Sequence, residues 1–190
     1  VRLDSFLQKV LPELTAGDEV LISDWGALEL ICAVRDDLTI LLGRALSGQK
    51  RGPRILDMTL TGEQRAYFQS GSWHNRDAVE LLAEQGIERI EQDNLLQGLA
   101  PLSDTLKGSL HLPFAMVTSS RICPFRPSGE SGPCPVYCGE LFTLQSDETK
   151  VLLYQDGNTQ FLRNERLPDD LLPLGIDRIV KHPHACSDSP

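Results

Sequence analysis

Residues 121–138, RICPFRPSGESGPCPVYC, gather Cys123, Cys134 and Cys138 with the spacing C-x10-C-x3-C. Thiolates grouped in this way can hold a metal, pair as a disulfide or simply pack. Cys134 and Cys138 stand about one helical turn apart, or across a tight loop, and Cys123 reaches them from a segment too rich in proline and glycine to extend a helix or strand. The three sulfurs can therefore converge. Zinc requires a closed tetrahedral shell, commonly built from C-x2–4-C knuckles. A cubane iron–sulfur cluster also takes four cysteines, often from loops of uneven spacing. The spacing leaves iron–sulfur, zinc and no metal all open. Arg121 and Arg126 lie where they offset the charge of thiolate ligands. A disulfide framework is disfavoured, because the five cysteines are odd in number and the opening residues VRLDSFLQKVLPEL are amphipathic and acidic, unlike a secretory leader.

Composition narrows the setting. With 190 residues, 41% of them hydrophobic, the chain can bury one core, so residues 1–190 read as a single domain. No apolar run approaches the ~20 residues of a membrane helix, and a soluble cytoplasmic protein is expected. Eighteen basic against twenty-seven acidic side chains give a formal charge of −9, which argues against general nucleic-acid binding.

The elements that must position the cysteines follow from periodicity. Apolar spacing from Leu3 to Leu14 predicts an amphipathic helix ended by Gly17, and EVLIS predicts a strand. DWGALELICAVRDD reads as a helix and LTILLG as the second strand. GEQRAYFQS and HNRDAVELLAEQG read as helices, the latter ended by Gly86. IERIEQ, SLHLPFAMV and IDRIV supply the third, fourth and fifth strands, the last after a short PDDLLPLG helix. Between the last two, residues 139–166 predict a small antiparallel hairpin insertion, with turns at 146–149 and at Asp156-Gly157-Asn158. Helices alternating with apolar strands define an α/β fold with a parallel sheet. Five strands fall short of the eight, over ~250 residues, of a complete barrel. The expected architecture is an incomplete or truncated TIM-barrel-like sheet, with a flexible tail at 184–190. Its uncovered edges predict a cover, either a partner chain, identical or related, or a further upstream segment.

Ligands in such folds bind beyond the carboxyl ends of the strands. Asp24, Arg44, Arg54, Glu91, Asp93 and Arg121 all fall there and are the candidate substrate-binding residues, on the face that also carries Cys123 and Cys186. For Asp24 and Asp93, capping of a following helix is the simpler role. In the basic loop GRALSGQKRGPR, Arg44 and Arg54 are expected to point into the cavity, with Lys50 and Arg51 facing outward. Cys32 falls on the Leu28 side of its helix and reads as a core filler. Cys186, six residues beyond the fifth strand, is the candidate fourth metal ligand, against an upstream cysteine or a partner subunit; His182 and His184 are alternative nitrogen ligands, for which solvation in a terminal tail is the simpler role.

The block LHLPFAMVTSSRICPFRPSGESGPCPVYCGELFTL, followed by LLYQDGNTQ and LGIDRIVKHP, resembles the carboxyl-terminal half of the unclassified peptidase family 32, the collagenase-like proteins. The order of HLP, an Arg-x-Cys and a C-x3-C beyond a proline-bearing loop is closest to short members that assist oxygen-independent ubiquinone hydroxylation. The resemblance covers most of residues 19 to 183. It implies a barrel-like α/β domain, a 4Fe-4S cluster on Cys123, Cys134 and Cys138, and a role in catalysing or assisting an oxygen-independent hydroxylation or related modification; the strand deficit adds the expectation of a homodimeric or heterodimeric partner of the same family. The other expectations are a non-enzymatic binding or assembly subunit with a structural zinc, and a hydrolase, for which GxSxG and HExxH signals are lacking.

Overall fold

The computed structural model describes residues 3–120, 123, 125–126, 132, 138, 140–147 and 149–182. Five strands form one parallel sheet: β1 (Glu19–Ile22), β2 (Thr39–Leu42), β3 (Arg89–Asp93), β4 (Lys107–Leu112) and β9 (Ile176–Lys181). They lie side by side in chain order, without the reversal that creates a switch point in doubly wound sheets. Four further strands, β5 (Phe114–Ser119), β6 (Phe142–Ser146), β7 (Thr149–Asp156) and β8 (Thr159–Arg163), form a separate antiparallel sheet in the order β5-β8-β7-β6.

Side chains of the parallel strands project alternately to two faces that differ in character, although Leu21 and Leu41 share the charged one. Ile22, Ile40, Leu42 and Ile90 point to one side and pack with Leu7 of α1 (Leu3–Val10), Ala27, Leu28 and Ile31 of α2 (Trp25–Cys32) and Leu82 of α4 (Arg76–Glu84). This is the apolar core. With a side-chain period of two, the opposite face receives Glu19, Arg89, Glu91, Asp93, Ser109, His111 and Arg178. Parallel strands are usually apolar on both faces, so a charged inner face marks a surface that does more than pack.

The helices start where sequence supplies caps. Asp24 Oδ1 accepts from Ala27 N at 2.9 Å and caps α2. Thr61 and Gln64 form a reciprocal capping box on α3 (Gly62–Gln69), and Asn75 caps α4. The first helix is shorter than expected, ending at Val10 and continuing as a 3-10 turn over Leu11–Glu13 around Pro12. The expected PDDLLPLG helix is only a 3-10 turn at Leu172–Leu174.

The predicted fourth strand is two. Pro113, joined to Leu112 by a cis peptide bond, has no N–H to continue the ladder, and the chain passes from the parallel sheet at Leu112 into the antiparallel one at Phe114. The antiparallel part is therefore more than a hairpin insertion over 139–166: β5 belongs to it, paired with β8 from Phe114↔Arg163 to Ser119↔Thr159. Cys32 is exposed rather than packed, since it follows the inward-facing Ile31 by one position, about 100° around the helix.

Arg178 of β9 donates both terminal nitrogens to the Glu19 carboxylate of β1, at 2.7 and 2.8 Å. Across a flat sheet these edge strands would lie roughly 19 Å apart, four strand spacings. The pair can meet only because the sheet is strongly curled. Arg89 of β3 similarly grips Asp177 of β9 at 2.6 and 3.0 Å. Arg178 holds the Glu19 carboxyl below its usual range, and Arg89 does the same to Asp177.

The apolar face should dominate stability. Leu42→Ala, at a side chain with no exposure, is expected to cost about 2–5 kcal/mol. Arg178→Gln should cost under about 1 kcal/mol, because both partners remain two-fifths exposed. Urea unfolding midpoints of the two variants test the contrast.

Candidate functional site

At the carboxyl end of β3, Asp93 is fully buried and its carboxylate is completely engaged. Oδ1 accepts from Arg44 Nη1 at 2.8 Å and from Met116 N of β5 at 2.9 Å, and Oδ2 accepts from Arg51 Nε at 2.7 Å. The Arg44 and Arg51 side chains are themselves only 18% and 11% exposed. Gln49 pairs with the backbone of Asp93 in both directions: its Oε1 accepts from Asp93 N at 2.8 Å and its Nε2 donates to Asp93 O at 3.0 Å. Arg44 emerges directly after Gly43, where a Cβ would stand 2.7 Å from the Ile22 carbonyl oxygen, so this close approach admits only glycine.

A second polar chain runs beside the first. Glu91 Oε2 lies 3.0 Å from His111 Nε2, off the N–H axis, so the contact is electrostatic rather than a directed hydrogen bond. His111 Nδ1 lies 2.8 Å from His182 Nε2. The side chains of Glu91 and His111 are 13% and 6% exposed. Burial, then the neighbouring Arg44 guanidinium and His111, push the His182 imidazole below its usual range, against the opposing carboxylates of Asp93 and Glu91.

Both chains end at one cavity between the two sheets, of about 150 Å³. Arg44 and His182 supply its polar wall, Phe114, Tyr154 and Phe161 its aromatic wall, and Leu141 and Asp156 the remainder. Phe114 meets Tyr154 and Phe161 edge to face, with centroids at 5.7 and 6.4 Å. The turn that follows Asp156 borders the cysteine segment. Ser120 N donates to Asn158 O at 2.9 Å, Asn158 Nδ2 donates to Ser120 O at 2.7 Å, and a Cβ at Gly157 would lie 3.5 Å from Cys138 Sγ.

Of the expected substrate-binding residues, Arg44, Glu91 and Asp93 converge on this region. Asp93 does not cap a helix, because no helix follows β3 before β4. Asp24 is exposed and serves α2 as its cap. The expected division of the basic loop is reversed at two positions. Arg51 turns inward to Asp93, carried there by the Gln49 anchor two residues earlier, while Arg54 is exposed on the 3-10 turn Pro53–Asp57. Lys50 is half-buried rather than free in water: its Nζ donates to Ser70 O at 2.7 Å and sits 4.2 Å from the Tyr67 ring centroid. Arg121, Cys134 and Cys186 lie outside the described residues. Cys123 is half-buried and Cys138 exposed, both as free thiols. Among the described residues, no group of three or more His, Cys, Asp or Glu side chains is arranged to hold a metal ion.

Sequence reasoning missed His111, turned Arg51 outward, and offered His182 only as an alternative metal ligand. The signal for His111 was the alternation in KGSLHL, which puts it on the same face as Ser109 and Lys107. Comparison with family models, with curated proteins and with solved structures gives no match.

Asp93→Ala should leave two nearly buried guanidiniums facing each other and cost about 3–5 kcal/mol in a urea titration, against about 0.5–2 kcal/mol for Asp24→Ala at its cap. Because the folded state holds the His182 pKa below that of the unfolded chain, stability is unaffected by this group above about pH 7 and falls as pH drops below about 6.5, where the unfolded chain takes up the proton first. His182→Gln should flatten that part of the stability profile.

Proposed function

We propose that this chain is an iron–sulfur protein of the peptidase family 32 type, a barrel piece that catalyses or assists an oxygen-independent modification of a small molecule held in the cavity between its sheets. One observation carries the reading. The Asp156–Asn158 turn borders the cavity through Asp156, is bonded to Ser120 through Asn158, and has Cys138 Sγ beside Gly157, so the cysteine segment leaves and returns next to a wall of the ligand site. Free thiols at Cys123 and Cys138 fit a thiophilic group by the chemistry of their donors. Cys134 would complete the set with them, and Cys186 is the fourth ligand proposed. A 4Fe-4S cluster supplies one-electron transfer when bound. The chain's own residues do the rest: Arg44 presents positive charge, Phe114 and Phe161 exclude water, and Asp93 fixes Arg44 in place.

The curled five-stranded sheet in chain order supports a truncated barrel, and its edge strands β1 and β9, joined only by side chains among the described residues, support pairing with a related or identical chain. Among the described residues, no helix is long and apolar enough to cross a membrane.

Protein purified without oxygen should be brown and hold about four iron and four sulfide per chain, with visible absorbance that bleaches on reduction. Cys134→Ser should abolish the cluster, Cys32→Ser should leave it intact, and Cys186→Ser should lower iron content. The alternative, a binding or assembly subunit fastened by zinc, predicts a colourless protein with one tightly held ion. A colourless, metal-free product after anaerobic reconstitution with iron and sulfide would overturn the cluster reading and leave a binding module.

A further inference from the structure

We infer that Glu91, His111 and His182 form a proton relay opening on the Arg44 cavity, with His182 Nδ1 accepting a proton from a ring-sized ligand that carries an acidic O–H or N–H. The inference takes the ligand cavity from the reading above but not the cluster.

The direction of the relay follows from its charged end. The Glu91 carboxylate, 3.0 Å from His111 Nε2, favours a proton on that nitrogen and leaves His111 Nδ1 as an acceptor. His182 Nε2, 2.8 Å away, must then be the donor. His182 Nδ1 therefore carries the lone pair, with no partner among the described residues, on a residue that lines the cavity. The groups facing His182 are Arg44 and His111, which disfavour its cation, and Asp93 and Glu91, which favour it; burial adds to the first pair and keeps the ring neutral near pH 7. Asp156 and Tyr154 complete the polar edge of the same cavity.

The same polar wall is suited to the anion that results. Asp93 carries one negative charge and is shared by two guanidiniums, so that cluster is left with a net positive charge. Arg44 spends only Nη1 on Asp93 and Phe114 O, and its Nε and Nη2 have no partner among the described residues. A proton leaving the ligand lands on His182 Nδ1. The imidazolium passes its Nε2 proton to His111 Nδ1, and the positive charge moves away from Arg44 towards Glu91. The electron pair stays on the ligand oxygen or nitrogen, facing Arg44. A cavity of about 150 Å³ is the size that accommodates benzene, which sets the ligand portion inside at one ring.

Phenol and toluene have the same ring and differ in the acidic hydroxyl, so they serve as probes in an NMR titration of the full chain at pH 7.5. Both should shift Phe114 and Phe161 resonances, with phenol bound at least about tenfold more tightly. His182→Leu should bring the two probes to parity while changing toluene affinity less than twofold. Glu91→Gln acts by position: the ¹⁵N imidazole spectrum should show His182 protonated at Nε2 in the native chain and as a tautomer mixture in this variant. The phenol preference should persist in Cys134→Ser, so that loss of iron and loss of the relay are read separately. Equal affinities in the native chain, no binding of either probe, or a His182 proton resident on Nδ1 would each overturn the inference.

Discussion

The Asp93 carboxylate is the point on which the arrangement of the two sheets depends. It lies at the end of β3, accepts from a guanidinium on each side of the 44–51 loop, and accepts from the backbone of β5 in the second sheet. Removing such a charge from water is costly, and only full engagement of both oxygens makes the position tolerable. Three chain segments far apart in sequence are thereby fixed relative to one another. Arg44 is held at the cavity wall as a consequence, and so is the start of β5, which begins with Phe114 of the aromatic wall.

The curled sheet divides its labour between faces. Aliphatic side chains on the outer face bury against α1, α2 and α4 and hold the fold. The inner face is ordered by ion pairs at both ends, Glu19–Arg178 and Arg89–Asp177 near the amino ends of the strands and Asp93 with Glu91–His111 near the carboxyl ends. A charged interior specifies geometry through directional contacts rather than adding much net stability. That suits the wall of a site.

Much of this was legible in the sequence, and the remainder failed for identifiable reasons. The five parallel strands, the helices carrying Leu28 and Leu82, the cap at Asp24 and the turn at Asp156–Asn158 follow from local pattern and are found near their expected positions. Pro113 inside SLHLPFAMV was readable as a strand breaker, yet the run of apolar residues around it masked the change of sheet. Arg51 and Arg54 could not be told apart locally, since the choice is made by Gln49 reaching Asp93 forty-four residues away. The pairing of His111 with His182, seventy-one residues apart, depends on β4 and β9 being neighbours, which no short-range pattern specifies.

The Glu19–Arg178 contact has a mechanical consequence. Every other junction in the parallel sheet is a ladder of backbone hydrogen bonds, but among the described residues β1 and β9 are bonded through one pair of half-exposed side chains. Separating them costs under about 1 kcal/mol, whereas parting two paired strands breaks several bonds worth about 1 kcal/mol each. The wall thus has a seam. Opening the curled sheet is cheapest there, far from the Asp93 cluster on the interior strand β3.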